Sequence, residues 1–319
     1  MRFSLLLGVA AALSAGAQPR IDNVLVRMVP PGSTSLVSAR MDLVKATEFY
    51  KKLLEQRKLP QVEAFAKETG FDPRRDVREL LFASTPSGGV LLARGSFKFN
   101  AEPIEKTQAK LVRHGGYSIW SLETSGFCIL DATLAAAGDT KSLEAALDEW
   151  TSGTHKAAQP LLALAKQIDP KTQFWGVSTG FANFLADNMP KAGGGGGRAG
   201  GNGGGIDFSK IFRGLADTWF QADFTTGFRA DFHGNTATEP DAVNLRDTAK
   251  GLIGFGRLSV PENQPEMLKL WDGILVEQQA KSLTIRADIP QNLVDRLVQM
   301  LSAAQSGRGR GARGPDSPL

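Results

Sequence analysis

Apolar and polar residues alternate most regularly between Trp219 and His233. Phe220, Ala222 and Phe224 interleave with Gln221 and Asp223, and Phe228, Ala230 and Phe232 interleave with Arg229, Asp231 and His233. A period of two marks strands with one covered and one solvated face. Facing partners must project to the same side of a sheet. A two-residue turn sets Phe224 against Arg229 and mixes the faces. A three-residue loop, Thr225-Thr226-Gly227, sets Phe224 against Phe228 and Asp223 against Arg229. Gly227 supplies the left-handed residue that this loop type needs. The pattern predicts a hairpin with the phenylalanines buried, an Asp223–Arg229 cross-strand pair, and His233 on the solvated face.

The remaining pattern alternates helices and strands. A strand over Thr34–Met41 leads into a helical stretch opened by Asp42 and carrying Phe49, Leu53 and Leu54, and a helix over Gln61–Thr69 stops at Gly70. Asp72-Pro73 reads as a helix cap followed by proline at the first helical position, a better account of Asp72 than the metal loop that the carboxylates of Asp72 and Asp76 could suggest. Strands follow over Leu80–Ser84 and Val90–Phe97. Ala101-Glu102-Pro103 opens a helix through Leu111, then come strands Tyr117–Leu122 and Phe127–Asp131 and a helix Lys141–Trp150. The order then recurs: a strand Gln173–Val177, a helix, the pair Trp219–Phe224 and Phe228–His233, a helix from Thr238-Glu239-Pro240 through Leu252, a hairpin Ile274–Gln279 and Ser282–Ile289, and a closing helix Gln291–Leu301. The repeated order and the paired Glu-Pro helix starts predict an internal duplication. The expected fold is α+β: two similar units of antiparallel sheet with helices packed on one face, spanning 18–155 and 156–301.

Three segments stand outside this pattern. Met1-Arg2, the apolar run Phe3–Ala12 and the small-x-small site Ala15-Gly16-Ala17 have the form of a secretory signal peptide, 1–17, and the run is too short to span a bilayer. A glycine-rich stretch at 192–205 reads as a flexible loop; a phosphate-cradling role lacks the following Gly-Lys-Ser/Thr. Residues 302–319 read as a disordered Arg/Gly tail. The expected location is secreted or periplasmic, with no membrane span after cleavage.

Val29–Ser33 (Val-Pro-Pro-Gly-Ser), Gly70–Asp76 (Gly-Phe-Asp-Pro-Arg-Arg-Asp) and Leu91–Phe97 (Leu-Leu-Ala-Arg-Gly-Ser-Phe) resemble segments of uncharacterised exported bacterial proteins of duplicated α+β type. The resemblance covers most of the chain outside the glycine stretch and tail. It implies the fold and carries no activity or functional residue with it.

Charge narrows the function classes. Against 33 acidic residues there are 37 basic ones, so the net charge of +4 is a small excess without the concentrated basic stripe that nucleic-acid binding requires. The Arg/Gly tail fits a solvated segment better than a nucleic-acid contact. The one cysteine, Cys128, lies in an apolar run and reads as a buried residue rather than a nucleophile. His114, His155 and His233 are scattered, and no zinc, nucleophile-elbow or Ser-x-x-Lys motif occurs. The best polar constellation is Asp223, Arg229, Asp231 and His233. It could hold a metal or an acid–base pair, but a solvated sheet face with a cross-strand Asp223–Arg229 pair is the better account. Phe174, Trp175, Phe181 and Phe184 read as core in preference to a ligand groove. No catalytic, cofactor-binding or metal-ligating residue is assigned, and no cofactor is expected. The pattern favours a non-catalytic binding or interaction protein of the cell envelope, with an envelope protein or small ligand as partner. The alternative is an exported hydrolase with a dispersed active site.

Overall fold

The computed structural model describes residues 23–56, 60–86, 88–98, 102, 109–153, 156, 158–188 and 212–308. Its centre is one continuous sheet of twelve strands. In chain order these are β1 (Ser35–Arg40), β2 (Val77–Thr85), β3 (Gly88–Gly95), β4 (Lys110–His114), β5 (Tyr117–Leu122), β6 (Ser125–Ile129), β7 (Leu134–Asp139), β8 (Phe174–Ser178), β9 (Leu215–Asp223), β10 (Gly227–Thr236), β11 (Ile274–Gln279) and β12 (Ser282–Pro290). Across the sheet they run β11-β12-β10-β9-β8-β1-β2-β3-β7-β6-β5-β4. Every pairing is antiparallel. The fold is α+β, as the pattern predicted.

The two halves meet where β1 pairs with β8, joined by a Ser35–Ser178 hydroxyl bond of 2.7 Å. Outward from β1 the order is β2, β3, β7, β6, and outward from β8 it is β9, β10, β12, β11. The recurrence lies one strand further along the first half than the sequence pattern set it. β6 and β7, not β5 and β6, occupy the places that β11 and β12 hold in the second half.

Register defines the two faces. One row on the front face runs Thr284–His233–Trp219–Val177–Leu36–Ala83–Val90 across seven strands. The neighbouring row on the back face runs Ile285–Phe232–Phe220–Gly176–Val37–Phe82–Leu91–Ala137–Phe127–Trp120–Leu111. The back row is apolar throughout. The front row is apolar near the first half and polar at its far end.

Helices cover different faces in the two halves. In the first half, the front face buries Leu36, Leu81, Leu92, Ile119 and Cys128 against Leu143, Ala146 and Leu147 of the helix Thr140–Ser152 and against Leu25 and Met28 near the N-terminal end. Asp139 caps that helix by accepting from the Ser142 amide, and its other oxygen accepts from the Gly89 amide. In the second half, the back face is covered instead. Leu245 of the helix Glu239–Leu258 packs on Leu215 and Leu283, and Leu293 and Val294 of the helix Gln291–Arg308 pack on Ile289. Each fully buried leucine in these layers contributes about 1.5–3 kcal/mol. Where the halves touch, Phe49 stacks on Phe224 at 4.2 Å, and a Cβ at Gly176 would overlap the ring of Phe220.

Several elements differ from the expected ones. Lys110 and Leu111 belong to β4, not to a helix. β7, Leu-Ala-Ala-Ala-Gly-Asp, was not foreseen as a strand. Its alanines favour a helix in isolation, and ladders to β3 and β6 override that preference. The closing helix runs to Arg308, beyond Leu301, so the segment read as tail from residue 302 begins as helix. The signal-peptide segment, the 192–205 stretch and residues 309–319 lie outside the described residues.

Candidate functional site: an apolar trough on the first half of the sheet

Among the described residues, the back face of the first half carries the short helices Met41–Val44 and Pro73–Asp76 beside β2 but no long helix of the kind that covers the second. Leu80 of β2, Leu91 and Ala93 of β3, Ala135 and Ala137 of β7, and Phe127 and Ile129 of β6 form a floor. Met41, Tyr50, Phe71, Pro73, Val77 and Phe97 form walls, with Phe71 stacked on Phe97 at 5.5 Å. The resulting trough encloses about 570 Å³. Leu91 is 38% exposed, and at the outer edge of the same face Leu111 is 58% exposed. Contiguous exposed apolar surface of this kind is unusual for a chain with nothing to bind there.

Two lining residues carry polar ends, Tyr50 and Arg74. Asp72 caps the short helix Pro73–Asp76, accepting from the Arg74 amide at 2.9 Å. Its carboxylate also takes the Arg74 guanidinium, at 3.0 Å from Nε and 2.8 Å from Nη2. Asp76 accepts from Arg75 and from the Asp72 amide. The hydrogen bonds from Arg74 and Arg75 hold the Asp72 and Asp76 carboxyls below the usual range. Asp72 is therefore committed to the cap that its Asp-Pro context suggested and to Arg74, and Asp76 to Arg75 and the Asp72 amide. Burial raises the Tyr50 phenol, and burial also lowers the Lys45 ammonium, which donates to the carbonyls of Arg75 and Val77. This frame fixes the rim while the floor stays apolar.

The sequence-derived constellation lies elsewhere, on the front face of the second half. The register is as predicted: Asp223 lies opposite Arg229 across Thr225-Thr226-Gly227, Gly227 has φ +119°, and Phe224 meets Phe228 at 5.0 Å. The ion pair is not as predicted. Arg229 approaches Asp288 on β12 at 3.6 Å, whereas Asp223 accepts from the Thr225 amide. Asp231 accepts from Gln221 at 2.9 Å and lies 3.7 Å from Arg286. His233 is half-buried rather than solvated, stacked on Trp219 at 5.6 Å with Nδ1 3.2 Å from the Thr284 hydroxyl. Asp231 and His233 thus turn to different partners. A shallow recess of about 250 Å³ holds Asp169, Gln221, Asp223, Arg229 and Asp231 without His233.

His114 sits on β4, 2.7 Å from Asp148, far from His233 in the strand order, and His155 lies outside the described residues. Among the described residues no group of three or more metal-ligating side chains converges. Cys128 is fully buried and its thiol is pushed up to about 11 by burial. Trp175 is buried in the front core, while Phe174, Phe181 and Phe184 meet Phe224, Phe232 and Phe82 on the back.

Reading the sequence missed the trough. The signal was present in Leu91-Leu92 and Ala135-Ala136-Ala137, runs with apolar side chains on both faces. A strand of that kind needs cover on both sides, and among the described residues a long helix covers one.

No family model matches the chain, and no curated protein matches it. Among solved structures, the chain is similar to crystal form III of TP0453 at a TM-score of 0.47 and 8% identity, covering 87% of this chain and 97% of that one. Crystal form I of TP0453 is similar at a TM-score of 0.43 and 8% identity, covering 88% and 96%. Among the described residues no helix is long and apolar enough to cross a membrane.

Proposed function

We propose that this protein is a non-catalytic binding protein that holds an elongated apolar small molecule, such as an acyl chain, in the trough on β2, β3, β6 and β7. The observation that carries this reading is the trough's lining, a volume of about 570 Å³ with Tyr50 and Arg74 as its polar-ended side chains among the described residues. Small-molecule sites have about 300–1,000 Å³ and predominantly apolar walls. A hydrolase would need a nucleophile and base at the substrate, and the described lining offers neither. The Met1–Ala17 signal supports export to the periplasm or beyond, where such a molecule would be carried or sequestered. The like strand order of the two halves supports the duplication.

Titration with the environment-sensitive probe N-phenylnaphthylamine tests the reading. Ala137→Glu places a charge on the trough floor and should remove one binding site while far-UV circular dichroism is unchanged. Arg229→Ala, on the polar face, should leave the stoichiometry intact and cost under about 0.5 kcal/mol of stability, because its ion pair is exposed. Equal probe binding by Ala137→Glu and the parent protein would reject the trough as the site.

A further inference from the structure

The sheet ends on two edge strands, β11 and β4, and β4 is the more exposed. Leu111 is 58% exposed on its back face and Val112 42% on its front face. β4 and β5 are joined through Gly115-Gly116, both at positive φ, a two-residue hairpin loop. Residues flanking such a loop exchange both backbone hydrogen bonds, and bonded pairs alternate from there. Lys110, Val112 and His114 therefore bond to β5, and Leu111 and Arg113 turn their N–H and C=O groups to the open edge. Among the described residues no strand lies beyond them. An edge of this kind is a template for a further strand.

Charge along this edge points to what pairs with it. Lys110, at one end of β4, has no acidic partner among the described residues. At the other end, His114 lies between two carboxylates one turn apart on the helix Thr140–Ser152, 2.7 Å from Asp148 and 4.0 Å from Glu144. We propose that β4 pairs antiparallel with β4 of a second copy of this chain, about a two-fold axis at Val112. In that register Leu111 meets Arg113 of the second copy, and the reciprocal pair completes the backbone hydrogen bonds that both edges leave open. Val112 meets its own counterpart. Lys110 falls opposite His114 of the second copy, beside the carboxylates of Asp148 and Glu144 there. The unpartnered ammonium of each copy thus meets the acidic helix turn of the other, a complementarity that an unrelated strand does not supply. The pairing is isologous and closed, so it stops at the dimer. A contact of one short strand is at the small end of specific interfaces, and the association is reversible and micromolar.

Sedimentation velocity over a concentration series tests this. The sedimentation coefficient should rise with concentration from the monomer to the dimer value. Lys110→Glu sets carboxylates against Asp148 and Glu144 of the other copy and should weaken association about tenfold. Val112→Lys places ammonium groups face to face on the axis and should abolish it. Both positions are exposed, so far-UV circular dichroism should not change. Lys110→Glu combined with Asp148→Lys exchanges the two signs and should recover most of the loss. Leu275→Lys, on the opposite edge strand β11, should leave the dimer intact. A protein that stays monomeric throughout the series overturns the proposal and leaves the β4 edge to a strand of another protein. Unchanged association in Lys110→Glu overturns it too, because the charge pairing that singles out a second copy is then absent. So does a dimer that persists in Val112→Lys or is lost only in Leu275→Lys, either of which puts the interface elsewhere.

Discussion

Outward from β1, the sheet face that no long helix covers among the described residues carries Leu91, Ala137, Phe127 and Leu111; outward from β8, it carries Gln221, Asp231, His233 and Arg286. The five strands nearest the seam follow the same order in both halves, yet the covered face is the front in one and the back in the other. The polar face meets water through side-chain pairs such as Gln221–Asp231 and Arg229–Asp288. The apolar face has no such means. Strand order alone therefore does not determine where the sheet leaves apolar surface open. That depends on whether the residues left without cover are of a kind that water satisfies.

The comparison breaks most readily in the first-half core. Leu147→Ala, at a fully buried site, should cost about 2–5 kcal/mol in urea unfolding. Leu91→Ala, on the trough floor, should cost under about 1 kcal/mol because a third of that side chain is already in water. Equal losses would mean that the back face is as enclosed as the front. A second measurement probes the seam between the halves. Phe224 stacks on Phe49 and meets Phe228 but is only half-buried, so Phe224→Ala should cost roughly 2 kcal/mol, below the range for a full core phenylalanine. A loss under about 0.5 kcal/mol would show that the halves are held together elsewhere.

The smallest effect concerns the rim. Asp72 and Asp76 have folded-state pKa values below their unfolded ones, chiefly through hydrogen bonds from Arg74 and Arg75. Groups of this sign stabilise the fold above the unfolded value, and their contribution is lost as pH falls through the folded value. The melting temperature should therefore decline as pH drops below about 4. Asp72→Asn keeps a capping oxygen and should flatten part of that acid limb while changing the neutral-pH melting temperature little. An unaltered acid limb in the variant would place the titration elsewhere.

The hairpin of β9 and β10 was legible because two independent signals agreed. Alternation fixed the faces, and Gly227 at a position requiring positive φ fixed the loop length. The side-chain pairing was not legible, since Arg229 is long enough to choose between Asp223 on β9 and Asp288 on β12, and local sequence contains only the first. β4 and β7 were missed differently: Lys-Leu-Val-Arg-His pairs with β5 across Gly115-Gly116, a local hairpin turn with positive φ at both glycines, whereas Leu-Ala-Ala-Ala-Gly-Asp is held between the nearby β6 and the distant β3. The trough was hidden because its residues come from segments near 41, 50, 71–80, 91–97 and 127–137. Each of them, read alone, is indistinguishable from core.

The contact of Gly176 with Phe220 also constrains how this chain can change over generations. A side chain at position 176 collides with the ring on the adjacent strand. Position 220 must therefore shrink before position 176 can grow, and a lineage taking the steps in the opposite order passes through an overpacked intermediate. The two positions are therefore coupled, and a change at either is felt at the other.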